Sequence, residues 1–144
     1  MKVYRSMILD APIDRVWTAV RAFDGVVNWN PGVTAAHLEN GKPTETGTIR
    51  HLDIVDGSVF RETLLTHSDH EFFYTYDIID GPLPVSNYIS THQFLPITHT
   101  GQTLGIWRCT FDCASNQADA MNKVVGDDIY IGGMLGLIEY LGGN

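Results

Sequence analysis

The chain has 144 residues, a pI near 5.0 and a formal net charge of −8. A domain of this length buries about two-thirds of the surface that its unfolded chain exposes, so we expect one domain over residues 1–144 with a sizeable core. Nine lysines and arginines are outnumbered by seventeen aspartates and glutamates. This balance argues against nucleic acid or anionic lipid as a partner, since neither would find enough cationic side chains.

The N-terminus and the cysteines indicate the compartment. "MKVYRSMILD" lacks the charged and apolar regions of a signal peptide, and no run of about 18 uncharged apolar residues occurs. Cys109 and Cys113 lie in a strand-like segment, where roughly 13 Å would separate their Cα atoms, beyond disulfide reach. We therefore predict a cytoplasmic protein with two reduced thiols and no membrane insertion.

The chain opens with a predicted strand over residues 3–9 and a helix in "DAPIDRVWTAVRAFDG", which has Pro12 early and Gly25 beyond its end. A short irregular or helical link, "VVNWNPGV", contains Trp29. Turn sequences then separate six strand-like runs, near residues 33–40, 47–55, 58–66, 71–79, 85–97 and 102–113. Strands joined by such short turns favour a long antiparallel meander.

The end of the chain, residues 116–141, is long enough for one helix of about seven turns. It contains Gly126, Gly132, Gly133 and Gly136, each of which costs about 0.5–1 kcal/mol relative to alanine in a helix interior. Three explanations remain open: close packing on the sheet, contact with a second chain in a homodimer, and space for a ligand. The whole pattern indicates an α+β domain in which a curved sheet wraps this helix.

The hairpin "GTIRHLDIVDGSVFRETLL" admits two registers. A two-residue turn at Asp56-Gly57 would mix polar and apolar residues on both faces, whereas a three-residue loop with Gly57 in the left-handed position pairs Leu52 with Phe60 and Arg50 with Glu62. Because register follows the hydrophobic pattern, we prefer the second. The charge pair would then be either an ordinary cross-strand pair at the sheet edge or the polar end of a partly wet cavity.

Several aromatic side chains share faces by alternation. Tyr74, Tyr76 and Ile78 form one such set, and the others are Tyr88, Ser90, His92 and Phe94, and Trp107, Cys109 and Phe111. Such sets are typical of plain core, but turned inward they would make an aromatic cup with few polar groups, as in a small-molecule pocket.

The order and spacing of these segments resemble the START-like helix-grip superfamily (SRPBCC), especially its polyketide cyclase/dehydrase-like branch. The resemblance is carried by "APIDRVWTAVRAFDGVVNWNP", "GTIRHLDIVDG", "RETLL", "GPLPVSNYIS" and the terminal helix. It implies a curved seven-stranded antiparallel sheet around a long C-terminal helix, with two short helices after the first strand. It also implies a hollow that takes lipids, sterols, polyketides or other small hydrophobic ligands.

A finer resemblance is to the plant abscisic-acid receptors of this superfamily, whose pocket is lined by a strand glutamate and by a tyrosine and serine in an Asn-Tyr-x-Ser segment. Glu62, Tyr88 and Ser90 match these features, whereas the gate loop is shortened to "VDG" and the pocket lysine is replaced by Asn30. The helix asparagine falls near Gly133. The predicted ligand-binding residues are Trp29, Arg50, Glu62, Tyr76, Tyr88, Ser90, His92, Trp107 and Gly133.

Three functions follow. The first is a carrier or sensor of a small hydrophobic or aromatic ligand, without a cofactor. The second is a cyclase- or dehydratase-type enzyme with Glu62 as acid or base and Tyr88 or His92 moving a second proton, although an opposed Arg50 would lower the pKa of Glu62 and weaken it as a base. The third is a dimeric interaction protein without a ligand.

Two loops carry further expectations. "HSDHE" (residues 67–71) contains side chains that can bind metal, but a short turn of this kind is usually only solvated, so we predict no metal site. Gly81–Pro84 is either a stiff lid over the cavity or an ordinary rigid loop.

Overall fold

A computed structural model describes residues 1–142. The strands are β1 (Lys2–Leu9), β2 (Val33–Leu38), β3 (Ile49–Ile54), β4 (Val59–Ser68), β5 (Phe73–Asp77), β6 (Ser86–Ile97) and β7 (Gln102–Asp112). The helical elements are α1 (Ile13–Val20), 3₁₀ turns at Gly25–Asn28 and Ser115–Gln117, and a C-terminal helix built from Ala118–Met121, Asn122–Ile131 and Gly132–Gly142. The predicted order of elements is confirmed.

The seven strands form one antiparallel sheet in the order β1-β7-β6-β5-β4-β3-β2. The meander therefore runs from β2 to β7, and the first strand closes onto the last. Register shifts interrupt three of the strand pairs, β2 with β3, β4 with β5 and β6 with β7. Such bulges bend and twist strands, which allows the sheet to close around a helix. This is the predicted helix-grip fold.

The β3–β4 hairpin adopts the predicted register. Arg50 lies opposite Glu62 and Leu52 lies opposite Phe60, while Gly57 has a φ of +90°. Glycine is favoured there because a side chain would strain the left-handed backbone. The two charged residues consequently point to the same face of the sheet as the hydrophobic pair.

The short helix α1 covers one end of the sheet. Its residues Val16, Trp17 and Val20 are buried, as the 3.6-residue spacing predicts. The backbone carbonyl of Pro12 accepts hydrogen bonds from the amides of Arg15 and Val16, so the proline starts the helix without interrupting it.

The C-terminal helix is less regular than predicted. Its central ten residues, Asn122–Ile131, are π-helical, and the amide of Gly132 donates to the carbonyl of Asp127 five residues earlier. Lys123 and Asp128 also pair at a spacing of five, with 3.1 Å between Nζ and Oδ1. The predicted long C-terminal helix is confirmed, but this segment, which lies beside the cavity described below, departs from the α-helical spacing. Such segments are frequent at functional sites.

The helix glycines allow close packing within the chain. A Cβ at Gly133 would lie 2.8 Å from Cζ3 of Trp107, and a Cβ at Gly136 would lie 2.6 Å from the carbonyl oxygen of Trp29. Gly126 packs in the same way on the guanidinium of Arg5. At three of the four glycines, the space that a side chain would need is thus filled by the protein's own residues. These glycines therefore no longer argue for a second chain.

Candidate functional site

A cavity of about 360 Å³ lies between the sheet, the link after α1 and the π-helical segment. Its aromatic walls are Trp29, Phe60, Tyr74, Tyr76, Tyr88 and Trp107. Its polar lining comprises Asn30, Arg50, Asp56, Ser58, Glu62, His92 and Asp128. Small-molecule sites usually combine an apolar wall with a few convergent polar groups in this way.

Arg50 and Glu62 form a buried ion pair in this wall. Nε of Arg50 donates to Oε1 of Glu62 at 2.7 Å, and the two residues are only 3% and 5% exposed. Nη1 of Arg50 donates to the backbone carbonyl of Phe23 at 2.8 Å, and the guanidinium lies 4.0 Å from the centre of the Phe23 ring. The bond from Arg50 uses one carboxylate oxygen, leaving Oε2 of Glu62 for another donor.

Burial changes the acidity of Glu62 in the direction opposite to our prediction. Desolvation raises the pKa of the Glu62 carboxyl above its ordinary value, and it outweighs the opposing effect of the Arg50 guanidinium. The expectation of a lowered pKa considered the charge of Arg50 alone and was wrong. A raised pKa makes Glu62 a stronger base than that expectation allowed.

His92 is fixed by two tyrosines. Its Nδ1 lies 3.0 Å from the hydroxyl of Tyr74, and its Nε2 lies 3.2 Å from the hydroxyl of Tyr76. Burial, with a smaller contribution from the charge of Arg50, lowers the pKa of His92 well below its ordinary value. A neutral imidazole has one N–H and one acceptor nitrogen, so one tyrosine donates to the ring and the other accepts from it.

Tyr130 of the π-helical segment closes the inner wall. Its hydroxyl lies 2.5 Å from Oγ of Ser90 and 3.4 Å from the hydroxyl of Tyr88. Ser90 is fully buried behind Tyr130 and does not line the cavity, and Gly133 is covered by Trp107. The other seven predicted ligand-binding residues all line it.

Sequence patterns missed some of the lining. Tyr74 lies on one of the predicted aromatic faces but is not among the predicted ligand-binding residues, although it lines the cavity. Val124, Asp128 and Ile129 also line it, and they come from the π-helical segment, whose geometry a 3.6-residue period does not describe. Phe60 could have been included, because it shares the hairpin face with Glu62.

The mouth of the cavity combines polar and loop residues. Asp56, Pro82 and Asp128 are exposed, while Ser58 and Leu83 are half-buried. Pro82 and Leu83 belong to the Gly81–Pro84 loop, which therefore borders the opening.

Two indole groups of the wall lack partners. Nε1 of Trp29 and Nε1 of Trp107 are buried and, within residues 1–142, neither donates a hydrogen bond. Buried polar groups are nearly always satisfied, so these are exceptions that need a reason.

The "HSDHE" turn is hydrogen-bonded to α1 and the residue after it through the side chain of Asp69. Oδ1 of Asp69 accepts a hydrogen bond from Nε1 of Trp17 at 2.8 Å and lies 3.0 Å from Nε2 of His67, while Arg21 binds the same carboxylate through Nε and Nη2. The part of the chain that the structure describes contains no group of three His, Cys, Asp or Glu side chains placed to hold a metal.

The sequence matches the profile of the family "Polyketide cyclase / dehydrase and lipid transport" over residues 1–140. The chain therefore belongs to this family, in agreement with the helix-grip fold and its cavity. Among residues 1–142, no helix has the length and apolar character needed to cross a membrane.

Other known proteins resemble this chain in sequence or in structure. The abscisic acid receptor PYL10 of Arabidopsis thaliana is 30% identical over 98 residues, which make up 66% of this chain and 53% of the receptor. The chain thus spans about half the length of that curated relative. XoxI from Bacillus cereus is 28% identical with a TM-score of 0.87, covering 97% of this chain and 94% of XoxI. An uncharacterised Bacillus thuringiensis protein, also 28% identical, has a TM-score of 0.88 and covers 98% of both chains.

Proposed function

We propose that this protein binds a small, mostly apolar or aromatic ligand in the cavity, as a carrier or sensor. The observation that carries the proposal is the buried Arg50–Glu62 pair in the wall of an otherwise aromatic cavity. Desolvating such a pair rarely improves stability over well-packed hydrophobic residues. Its presence is better explained if it orients a ligand or the water that the ligand displaces.

The volume limits the ligand. An apolar cavity of about 150 Å³ accepts one benzene molecule, so about 360 Å³ accommodates roughly two fused rings or an aliphatic chain of similar bulk. A larger ligand would extend through the mouth past Asp56 and Pro82.

Native mass spectrometry of freshly purified protein tests the proposal, followed by denaturing analysis of any molecule released. We expect a defined hydrophobic adduct. A variant with both Arg50→Leu and Glu62→Leu should lose the adduct and remain folded. Clean wild-type protein that also shows no thermal shift with lipid and polyketide panels would contradict ligand binding.

A second candidate is an enzyme of the cyclase, dehydratase or isomerase type. The observation that favours it is the raised pKa of Glu62, caused by burial beside the cavity. Glu62 would accept a proton from an enolisable ligand, while Tyr76 or Tyr88 would donate a hydrogen bond to its carbonyl oxygen. Glu62→Gln should then abolish turnover and retain the ligand, whereas in a carrier this variant would change affinity alone.

A further inference from the structure

The charges of the cavity wall indicate which polar group a ligand carries. Within residues 1–142, Arg50 is the only lysine or arginine of the lining, and Asp56, Glu62 and Asp128 are its acids. Asp128 forms an ion pair with Lys123, which does not line the cavity. The lining therefore offers no surplus positive charge to an anionic ligand.

The charge of Arg50 is also already engaged. Its Nε binds Glu62, its Nη1 binds the carbonyl of Phe23, and its guanidinium lies over the rings of Phe23 and Tyr76 at 4.0 and 4.9 Å. A ligand carboxylate placed here would meet the like charge of Glu62 at short range. Burying a charge without a partner is strongly unfavourable.

A neutral group that both donates and accepts suits the same position. A hydroxyl can donate to Oε2 of Glu62 while its oxygen accepts from the remaining N–H groups of Arg50. We infer that the cavity selects a neutral hydroxyl-bearing or phenolic ligand of about two rings and rejects the corresponding carboxylate. This inference rests on the proposed function, since it names the class of ligand for that cavity.

Three probes of matched shape test it: 2-naphthol, 2-naphthoate and naphthalene, each measured by equilibrium dialysis at neutral pH. We expect 2-naphthol to bind at least about tenfold more tightly than 2-naphthoate, a difference of about 1.4 kcal/mol. Naphthalene should bind with intermediate affinity, because it lacks both the hydrogen bonds and the charge.

Two variants should shift the binding preference from 2-naphthol towards 2-naphthoate. Glu62→Gln removes the repelling charge and frees that of Arg50, so 2-naphthoate should gain affinity and 2-naphthol should lose it. Asn30→Lys adds an ammonium group to the wall and should strengthen 2-naphthoate binding while the buried pair stays intact. Glu71→Gln, an exposed position outside the cavity, removes the same charge and should change neither affinity.

The outcomes separate the two proposals. If 2-naphthoate binds the wild type as tightly as 2-naphthol, or if Glu62→Gln changes neither affinity, the inference is overturned while ligand binding stands. If none of the three probes binds while native mass spectrometry shows an adduct, the inference is overturned and ligand binding stands. If there is also no adduct and no thermal shift with the lipid and polyketide panels, the proposed function fails as well.

Discussion

The imidazole of His92 lies parallel to the indole of Trp107, with ring centroids 3.9 Å apart and an interplanar angle of 4°. Tyr74 and Tyr76 hold the two ring nitrogens of His92, and Tyr130 meets its ring edge-on at 5.8 Å. These aromatic rings leave little room for water around the imidazole, so a charged form would be poorly solvated.

Protein stability should therefore depend on the protonation of His92. The facing groups are the neutral Tyr74 and Tyr76 and the cationic Arg50, and the pKa of His92 is lowered well below 6.5 by burial. The unfolded chain binds a proton below about pH 6.5 and the folded chain does not, so this contribution is complete above that pH and is lost as pH falls. The loss reaches at most about 1.4 kcal/mol per pH unit.

Urea unfolding between neutral and mildly acidic pH would measure that slope. His92→Phe keeps a ring against Trp107 and should lack the slope, whereas the exposed control His99→Phe should retain it. An unchanged slope in His92→Phe would assign the pH dependence to another group.

Removing one partner of the buried ion pair should be worse than removing both. Glu62→Leu leaves Arg50 buried without its counter-ion and should reduce the free energy of unfolding by about 3–5 kcal/mol. Adding Arg50→Leu should recover most of that loss, because no charge then remains buried. Chemical denaturation of Glu62→Leu, of Arg50→Leu alone and of the double variant completes the cycle, and an additive double variant would argue against tight coupling.

Adjacent helix glycines should respond in opposite ways to a methyl group. Gly133→Ala places Cβ 2.8 Å from the Trp107 ring, which is fixed by its stacking, and should destabilise the fold by about 1–3 kcal/mol. At Gly132 the nearest atom is the Asp127 carbonyl oxygen at 3.8 Å, so Gly132→Ala should gain about 0.5–1 kcal/mol. Thermal unfolding of the two variants is the measurement; equal effects would show that packing on Trp107 does not require glycine.

Asp69 should hold α1 on the sheet. Asp69→Ala removes the acceptor of the Trp17 indole and should cost about 1–2 kcal/mol. The hydrogen bonds from Arg21 hold the pKa of Asp69 well below its ordinary value, so its contribution is present above about pH 4 and is lost as pH falls, reduced by solvent screening. Glu39→Ala, which breaks an exposed pair with Arg61, should cost less in the same denaturation assay.

The Gly81–Pro84 loop should slow ligand release if it is a lid. Leu83 is half-buried at the mouth, so Leu83→Ala should raise the dissociation rate of a bound probe and leave the association rate nearly unchanged. Stopped-flow displacement measures both rates. The exposed residue Pro84, which does not line the cavity, provides the control through Pro84→Ala.

Much of the fold follows from short-range sequence signals. The hairpin loop at Val55-Asp56-Gly57 and the alternation beside it pair Arg50 with Glu62, and the two residues lie only 12 positions apart in the chain. The aromatic faces of β5, β6 and β7 are predicted by alternation for the same reason. Each signal involves neighbours along the chain, where backbone geometry decides which side chains share a face.

The content of the cavity depends on contacts between distant segments. Ser90 shares a strand face with Tyr88 and His92, yet Tyr130, forty residues later in the chain, covers it. Alternation identifies the face on which a residue lies but not what packs against it. Likewise the π-helical segment and the raised pKa of Glu62 arise only when helix and sheet enclose a common space. Sequence by itself thus determined the strands, their register and the buried pair, whereas tertiary packing decided which side chains remain open to a ligand, since desolvation and filled volume depend on all surrounding elements at once.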